Sequence, residues 1–363
     1  MGDKFGSLLS LGPANNDQWV ALRTAVGIFL PLFGLLALDR LDLMVFVIFG
    51  AFTGVYGRVQ GYGNRLAAQA KAGTLFLVVI AAAALASHYL VNHDDLMAGT
   101  WMVVGLTTVV SGICSVSTGY LRLRPAGSLF HIFAFAAIAS MPHQPPPVDS
   151  LIAALAAVLL SVVLGFSGMI FTKGASWGPC NAGAPLSRPV RIAIWNEAWL
   201  YMLAAGLAGI IANLLAPALS TGHSYWAMVA AVVPLVGHTT RHRVRRGVHR
   251  ILGTLTGLLA MAAVIALDPP VWALLAMIGL LQFGAEMFIA RNYFLGQIFV
   301  TPLALVGVSV GSGLDTALLY DRMLETIIGA VIGMLVVLVG SVYGTWVRRR
   351  LLPADPGTSA QPM

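Results

Sequence analysis

The sequence predicts an all-α polytopic membrane protein of about twelve transmembrane helices, in two parallel six-helix repeats with both termini in the cytoplasm. Three observations predict it. The first is composition: 58% of the 363 residues are apolar and 10% are charged, against roughly 25% charged in soluble domains. The second is run length. Thr74 to Leu90 and Leu151 to Phe171 carry no Lys, Arg, Asp or Glu, and roughly 20 apolar residues cross a bilayer as helix. Alternation is absent, so no closed barrel is indicated. The third is charge placement. Of the 21 lysines and arginines, all but Arg40 and Arg322 precede the first apolar run, open it, follow the last, or fall in alternate gaps. Cytoplasmic loops carry the excess of Lys and Arg, which places both ends inside and makes the span number even. The net charge of +7 is then explained by orientation, and no nucleic-acid partner is called for.

In chain order, Met1 to Asp17 lacks the apolar core of a cleavable signal. Gly6 stands where a myristoylation signal needs Ser or Thr. The first six spans read as 19–38, 42–57, 68–90, 97–119, 125–141 and 148–172. The next six read as 195–217, 223–238, 251–267, 270–289, 293–310 and 324–347. Outer connections are short and acidic or Pro-rich, as in Asn92-His93-Asp94-Asp95 and Asp268-Pro269-Pro270. The organisation is a first membrane repeat at 1–172, a Gly/Pro/Ser-rich cytoplasmic linker at 173–189, a second repeat at 190–350 and a short cytoplasmic tail at 351–363. Cys114 and Cys180 are too few for a disulfide framework.

The halves resemble each other at a shift of 180 residues: Trp19 with Trp199, Asp17 with Glu197, Gly57 with Gly237, Arg65 with Arg245, and Gly73-Thr74-Leu75 with Gly253-Thr254-Leu255. Further on, Leu129 and Ile132-Phe133 match Leu295 and Ile298-Phe299 at a shift of 166, which pairs His131 with Gln297. Six spans per half make the repeats parallel, related by an axis along the membrane normal. A pathway on that axis would bring the third and ninth spans face to face, with Arg65 and Arg245 around its inner mouth.

The strongest local signal runs from Arg241 to Gly257. It starts as a basic inner loop and enters a span. Gly253 and Gly257 form a Gly-x-x-x-Gly pair that permits close helix contact. Arg246 and Arg250 lie one turn apart, and each guanidinium can grip a carboxylate with two hydrogen bonds. Most of these arginines suit plain anchoring to anionic lipid; Arg250, three residues before the glycine pair, is the one best placed to face a pathway. A second signal runs from Glu286 through Arg291-Asn292-Tyr293 to Gln297, Thr301 and Pro302. Gln297 and Thr301 sit one turn apart within a span, where unpaired polar groups are costly; helix–helix hydrogen bonding and pathway lining both fit them.

These two segments resemble the fusaric-acid-resistance-like membrane domain, a group that includes the aromatic acid exporters and is similar to the plant aluminium-activated malate transporters. The likeness covers about 195–345 and is thinner in the first half, where Gly73-Thr74 remains but Ala70-Lys71 stands opposite Arg250-Ile251. The large cytosolic domains of many relatives have no counterpart within these 363 residues. The resemblance implies export of small organic anions, by analogy aromatic acids.

The reading is therefore a secondary exporter of small hydrophobic carboxylates in the bacterial plasma membrane, driven by the proton gradient, and not an enzyme. Arg65, Arg245, Arg246, Arg250, Arg291, Asn292, Tyr293, Gln297 and Thr301 are the candidate substrate-binding residues. His131 and Glu286 are the candidate proton carriers. Gly73, Thr74, Gly253, Thr254 and Gly257 are assigned to helix packing. A passive anion channel is the alternative within transport; a membrane-embedded enzyme on lipid or polyprenyl substrates, or a scaffold without transport, are alternatives from other classes. No Gly-x-x-x-x-Gly-Lys-Ser/Thr loop is present, and the cluster of His88, His93, Asp94 and Asp95 shows no second pair of metal ligands. Neither cofactor nor metal is called for. The partners are membrane lipid and the organic anion, and a homo-oligomer is allowed.

Overall fold

A computed structural model describes residues 10–58, 60–171, 184–237, 239–310 and 316–351. Most of the 173–189 linker, the 352–363 tail, Lys173, Cys180 and His238 lie outside the described residues. Among those described, all regular structure is helical. The first half holds α1 (Asp17–Ala37), α2 (Met44–Ala51), α3 (Tyr62–Tyr89), α4 (Leu96–Tyr120), α5 (Leu129–Ala139) and α6 (Pro147–Phe171). The second holds α7 (Arg188–Leu219), α8 (Tyr225–Val232), α9 (Thr240–Leu267), α10 (Val271–Phe288), α11 (Tyr293–Ser309) and α12 (Ala317–Leu351). Each overlaps one expected span.

Eight of these helices are long and apolar enough to cross a bilayer: α1, α3, α4, α6, α7, α9, α10 and α12. The shorter apolar segments are Leu41–Val55, Leu129–Ala139, Tyr225–Leu235 and Tyr293–Val308. At about 1.5 Å per residue, the 11 residues of α5 fall far short of a hydrocarbon core about 30 Å thick. The short helices are the second and fifth of each half. Every residue of α8 is buried, as is all of α2 except Val45, so their ends meet protein rather than lipid.

Three expectations are corrected at element boundaries. The Arg241–Arg250 stretch is not a loop: α9 starts at Thr240, with Thr239 Oγ1 accepting the His242 amide as an N-cap. Arg65 and Lys71 likewise lie within α3. α12 begins at Ala317, so Arg322, counted from the sequence as an outer-loop charge, is helical.

Packing follows one pattern twice. α1 packs on α2 and α6, α2 on α6, α3 on α5 and α6, and α4 on α5. α7 packs on α8 and α12, α8 on α12, α9 on α11 and α12, and α10 on α11. Between the halves, α1 meets α10 and α7 meets α4, while α2 touches α11 and α8 touches α5. Each contact maps to its counterpart when six is added to the helix number, as in an isologous dimer interface. The expectation that the third and ninth helices face each other is not met: α3 packs on α5 and α6, and α9 on α11 and α12. The polar register also shifts. Arg65 Nε donates to Gly57 O at 3.1 Å, and it is Arg243, not Arg245, that makes the matching bond to Gly237 O at 2.9 Å.

Candidate functional site

The short helices leave a cavity of about 440 Å³ where the halves meet. Its two sides differ in chemistry. The first half supplies rings: Phe49 from α2, Phe52 from the 3-10 turn that follows it (Phe52–Val55), and Phe130 and Phe133 from α5. These contact edge to face, with centroids 5.0 Å apart for Phe49–Phe133 and 5.6 Å for Phe52–Phe130. The chain of rings continues to Trp226 of α8, whose centroid is 5.0 Å from that of Phe133.

The second half supplies most of the charge, with Arg58 and Arg124 added from the first. Arg246 and Arg250 of α9 and Arg322 of α12 line the cavity. Close approach of α9 to α11 places Arg250. A Cβ at Gly253 would lie 2.6 Å from the Gln297 Cβ, and one at Gly257 would lie 2.7 Å from the Thr301 Cβ. At that separation Arg250 Nη1 donates to Gln297 Oε1 at 2.8 Å. The Gln297 amide is held in turn, since Nε2 donates to Thr301 Oγ1 at 3.1 Å and Thr254 Oγ1 at 3.3 Å. Thr301 Oγ1 then donates to the Gln297 carbonyl, leaving the side chains of Gln297 and Thr301 engaged.

Arg250 is 3% exposed, and its Nε and Nη2 have no partner. Arg322 is 1% exposed, stacks over Trp226 at 3.7 Å, and its Nε and Nη1 have no partner. Arg246 lies over the Tyr293 ring at 4.1 Å. Among the described residues none of the three forms a salt bridge. The carboxylate on the cavity wall, Glu286, is taken: Arg58 Nη1 donates to its Oε2 while Arg58 Nη2 donates to Asp17 Oδ1 at 2.8 Å. A buried, uncompensated guanidinium is costly; stacking on an aromatic face offsets about 2 kcal/mol of it.

Of the expected substrate-binding residues, the cavity gathers Arg246, Arg250, Tyr293 and Gln297, with Thr301 as Gln297's support. It does not gather the others. Arg65 is structural, donating to the carbonyls of Gly57, Gly165 and Gln60. Arg291 and Asn292 hold the chain ahead of α1. Arg291 Nε donates to Gly12 O at 3.0 Å, Gly12 N returns a bond to Arg291 O, and Asn292 Nδ2 reaches Ser10 O. The Asn292 Oδ1 also caps α11. Arg245, whose Nε donates to His249 Nε2, lies with these residues beside a second cavity of about 350 Å³.

The proton-carrier expectations fare poorly. His131 is wholly buried, stacks on Phe76, has no partner at either ring nitrogen and is not on the cavity wall. Glu286 is locked by Arg58. The packing glycines behave as expected in the second half. In the first, a Cβ at Gly73 would meet Val158 of α6, and Thr74 bonds back to Ala70 O on an exposed face. No group of three or more His, Cys, Asp or Glu among the described residues is placed to hold a metal ion. Asp95 caps α4 through Met97 N and Ala98 N.

Sequence reasoning missed Arg322, Arg58 and the aromatic wall. Arg322 carried a signal: Asp321-Arg322-Met323-Leu324-Glu325 puts charges at i, i+1 and i+4 directly ahead of an apolar run, a spacing that suits the first turns of a helix. Single phenylalanines in apolar runs carry none.

A helical, polytopic membrane protein with a cationic and aromatic chamber between two six-helix halves is the class these features define. Residues 207–336 match the family model described as fusaric acid resistance protein-like, which bears out the resemblance read from the sequence over that stretch. It contains Arg246, Arg250, Gln297 and Arg322, while the ring-bearing α2 and α5 fall outside it. The chain is 30% identical over 133 residues to an uncharacterized membrane protein, YvaC, of Bacillus subtilis (strain 168). The match covers 36% of this chain and 21% of that one, so the chain spans about a fifth of the length of the curated relative it matches. No solved structure matches.

Proposed function

We propose that this protein is a transporter that exports small hydrophobic organic anions, aromatic carboxylates foremost, across the bacterial plasma membrane through the chamber between its halves. The observation that carries this is the pair of buried guanidiniums, Arg250 and Arg322, without acidic partners on the wall of a largely apolar, ring-lined cavity. A carboxylate bound there gains charge-assisted hydrogen bonds, and an aromatic body gains contact with Phe49, Phe52, Phe130 and Phe133. The ligand is thereby oriented, acid toward the second half and ring toward the first. A volume of about 440 Å³ lies within the roughly 300–1,000 Å³ of small-molecule sites.

The two halves act as six-helix units in this reading, with the 173–189 linker and both termini cytoplasmic. Arg246, nearer the start of α9, then sits toward the cytoplasm and draws anions in. The membrane potential, negative inside, favours outward movement of an anion by about 2.3 kcal/mol per 100 mV. Neither His131 nor Glu286 is placed to couple that movement to a proton gradient. Asp94 and Asp95, the acid pair that diphosphate chemistry would call on, lie at the start of α4, away from the described residues of the chamber wall.

Uptake into inverted membrane vesicles across a panel of organic acids tests the reading. Aromatic monocarboxylates are expected to accumulate when the vesicle lumen is made positive, and their uncharged amides are not. Accumulation no greater than in vesicles lacking the protein would overturn it.

A further inference from the structure

The first turns of α12 carry Asp321, Arg322 and Glu325. Asp321 and Glu325 stand one turn apart on one face, and that face clasps the loop leading into α8. Asp321 Oδ2 accepts from Gly222 N at 3.0 Å and lies 2.8 Å from His223 Nδ1. Glu325 Oε1 accepts from His223 N at 3.1 Å. Glu325 itself is fully buried, and its Oε2 has no partner. Arg322 turns away from both acids toward the chamber and Trp226, and it pairs with neither. A single turn of helix therefore holds a buried carboxylate without a cation and a buried guanidinium without a carboxylate.

The first half shows the same clasp in a fixed form. Arg40, ahead of α2, bonds Asp42 at 3.0 Å and Asp149 of α6 at 2.9 Å. Those carboxylates push the Arg40 guanidinium further above its ordinary range, so this clasp stays charged. Ser150 follows Asp149 where Arg322 follows Asp321, and Ala153 stands where the second half has Glu325. A titratable clasp with a chamber arginine beside it is thus particular to the second half.

We propose that Glu325 is the proton-binding group of this protein, and that its protonation and anion binding at Arg322 reinforce each other, so that protons are taken up as the anion binds. The inference rests on the anion-binding reading above. The physical reason is like-charge repulsion. An ionised Glu325 puts a negative charge one turn from the place the anion takes, and burial leaves little water to screen it. Protonation removes that charge, so lower pH tightens anion binding. By linkage, the bound anion raises the proton affinity of Glu325 to the same degree. The charged and titratable groups facing Glu325 are few. His223 and Tyr225 face it from the α8 end, and Asp321 and Arg322 from its own helix. Arg250 of α9 and Tyr293 of α11 lie beyond Arg322. The ionisable residues of α7, also packed on α12, fall in that helix's first half, at Arg188, Arg191, Glu197 and Tyr201.

The test is titration calorimetry on the full chain in detergent, with 1-naphthalenesulfonate as the probe because it stays ionised at every pH used. Paired buffers of different ionisation enthalpy report protons taken up. The wild type is expected to bind about 3- to 10-fold more tightly near pH 5 than near pH 8, a like-charge term of about 1 kcal/mol, with uptake of about 0.3 to 0.5 proton per anion at the midpoint of that change. Glu325→Gln should keep the low-pH affinity throughout and take up no proton, while Glu325→Asp should keep both pH dependence and uptake. His223→Gln should also keep both. Wild-type binding that is flat with pH, or proton uptake that persists in Glu325→Gln or vanishes in His223→Gln, overturns the coupling while leaving the anion site standing. Binding of no sulfonate or aromatic carboxylate at any pH overturns both readings.

Discussion

Arg250→Gln is expected to weaken anion binding and transport by roughly 10- to 100-fold, the loss of one carboxylate contact of about 1.5–3 kcal/mol. Arg241→Gln, at the exposed start of the same helix, should change either by less than about twofold, since an exposed charge contributes little. Both substitutions remove one cation from α9, so a lipid-anchoring role would make them alike. A purely structural role for Arg250 makes a separate prediction, because loss of a structural arginine would lower stability. Here the guanidinium has one hydrogen bond, to Gln297, and two unpartnered nitrogens, so the glutamine variant should unfold at the wild-type temperature or above it. Binding isotherms and thermal unfolding of the two purified variants decide the matter. Equal effects on binding, or a large fall in stability with Arg250→Gln, would contradict the assignment.

The largest expected effect on stability lies where α12 packs on α8. A Cβ at Gly329 would fall on the Ala227 carbonyl, and one at Gly333 would fall on the Ala231 carbonyl one turn on. Backbone offers no rotamer to move aside, so α8 as a whole must shift. Gly329→Ala and Gly333→Ala should each destabilise by about 1–3 kcal/mol, and the double variant by more. As α8 carries Val229 to the chamber wall and holds Trp226 against Arg322, binding should fail with it. Gly34→Ala is the counterpart: nothing lies within 4 Å of its Cβ position, and alanine within α1 should raise stability by about 0.5–1 kcal/mol. Unfolding midpoints in one detergent measure all three. A Gly329→Ala protein as stable as Gly34→Ala would contradict this packing.

Much of the fold was legible because apolar runs and the basic gaps between them are one-dimensional signals. Each expected span overlaps a helix. The seam of Gly253, Gly257, Gln297 and Thr301 was legible too, since glycine and uncharged polar side chains at turn spacing have few uses within a span. Arg322 was not. Counting it among loop charges hid that a helix can begin before its hydrophobic stretch does, with the charges of Asp321, Arg322 and Glu325 absorbed by the α8 loop and Trp226. The Arg58 pairs with Asp17 and Glu286 join residues far apart in sequence, and no spacing rule reaches that far. Arg65 misled for a related reason. The ungapped alignment set it opposite Arg245, whereas the glycine carbonyl it holds is matched by that of Arg243. The aromatic wall was invisible because a phenylalanine facing lipid and one facing a chamber look alike in an apolar run.

The central claim is that one anion site lies between the halves. A structure of the protein with an iodinated aromatic carboxylate tests it most directly, because the iodine marks the ring. The expected result places the carboxylate within hydrogen-bond distance, about 3 Å, of Arg250 and Arg322, and the iodine among Phe49, Phe52, Phe130 and Phe133. Ligand found instead within one half, or beside Ser10 to Gly12 with the chamber empty, would contradict it.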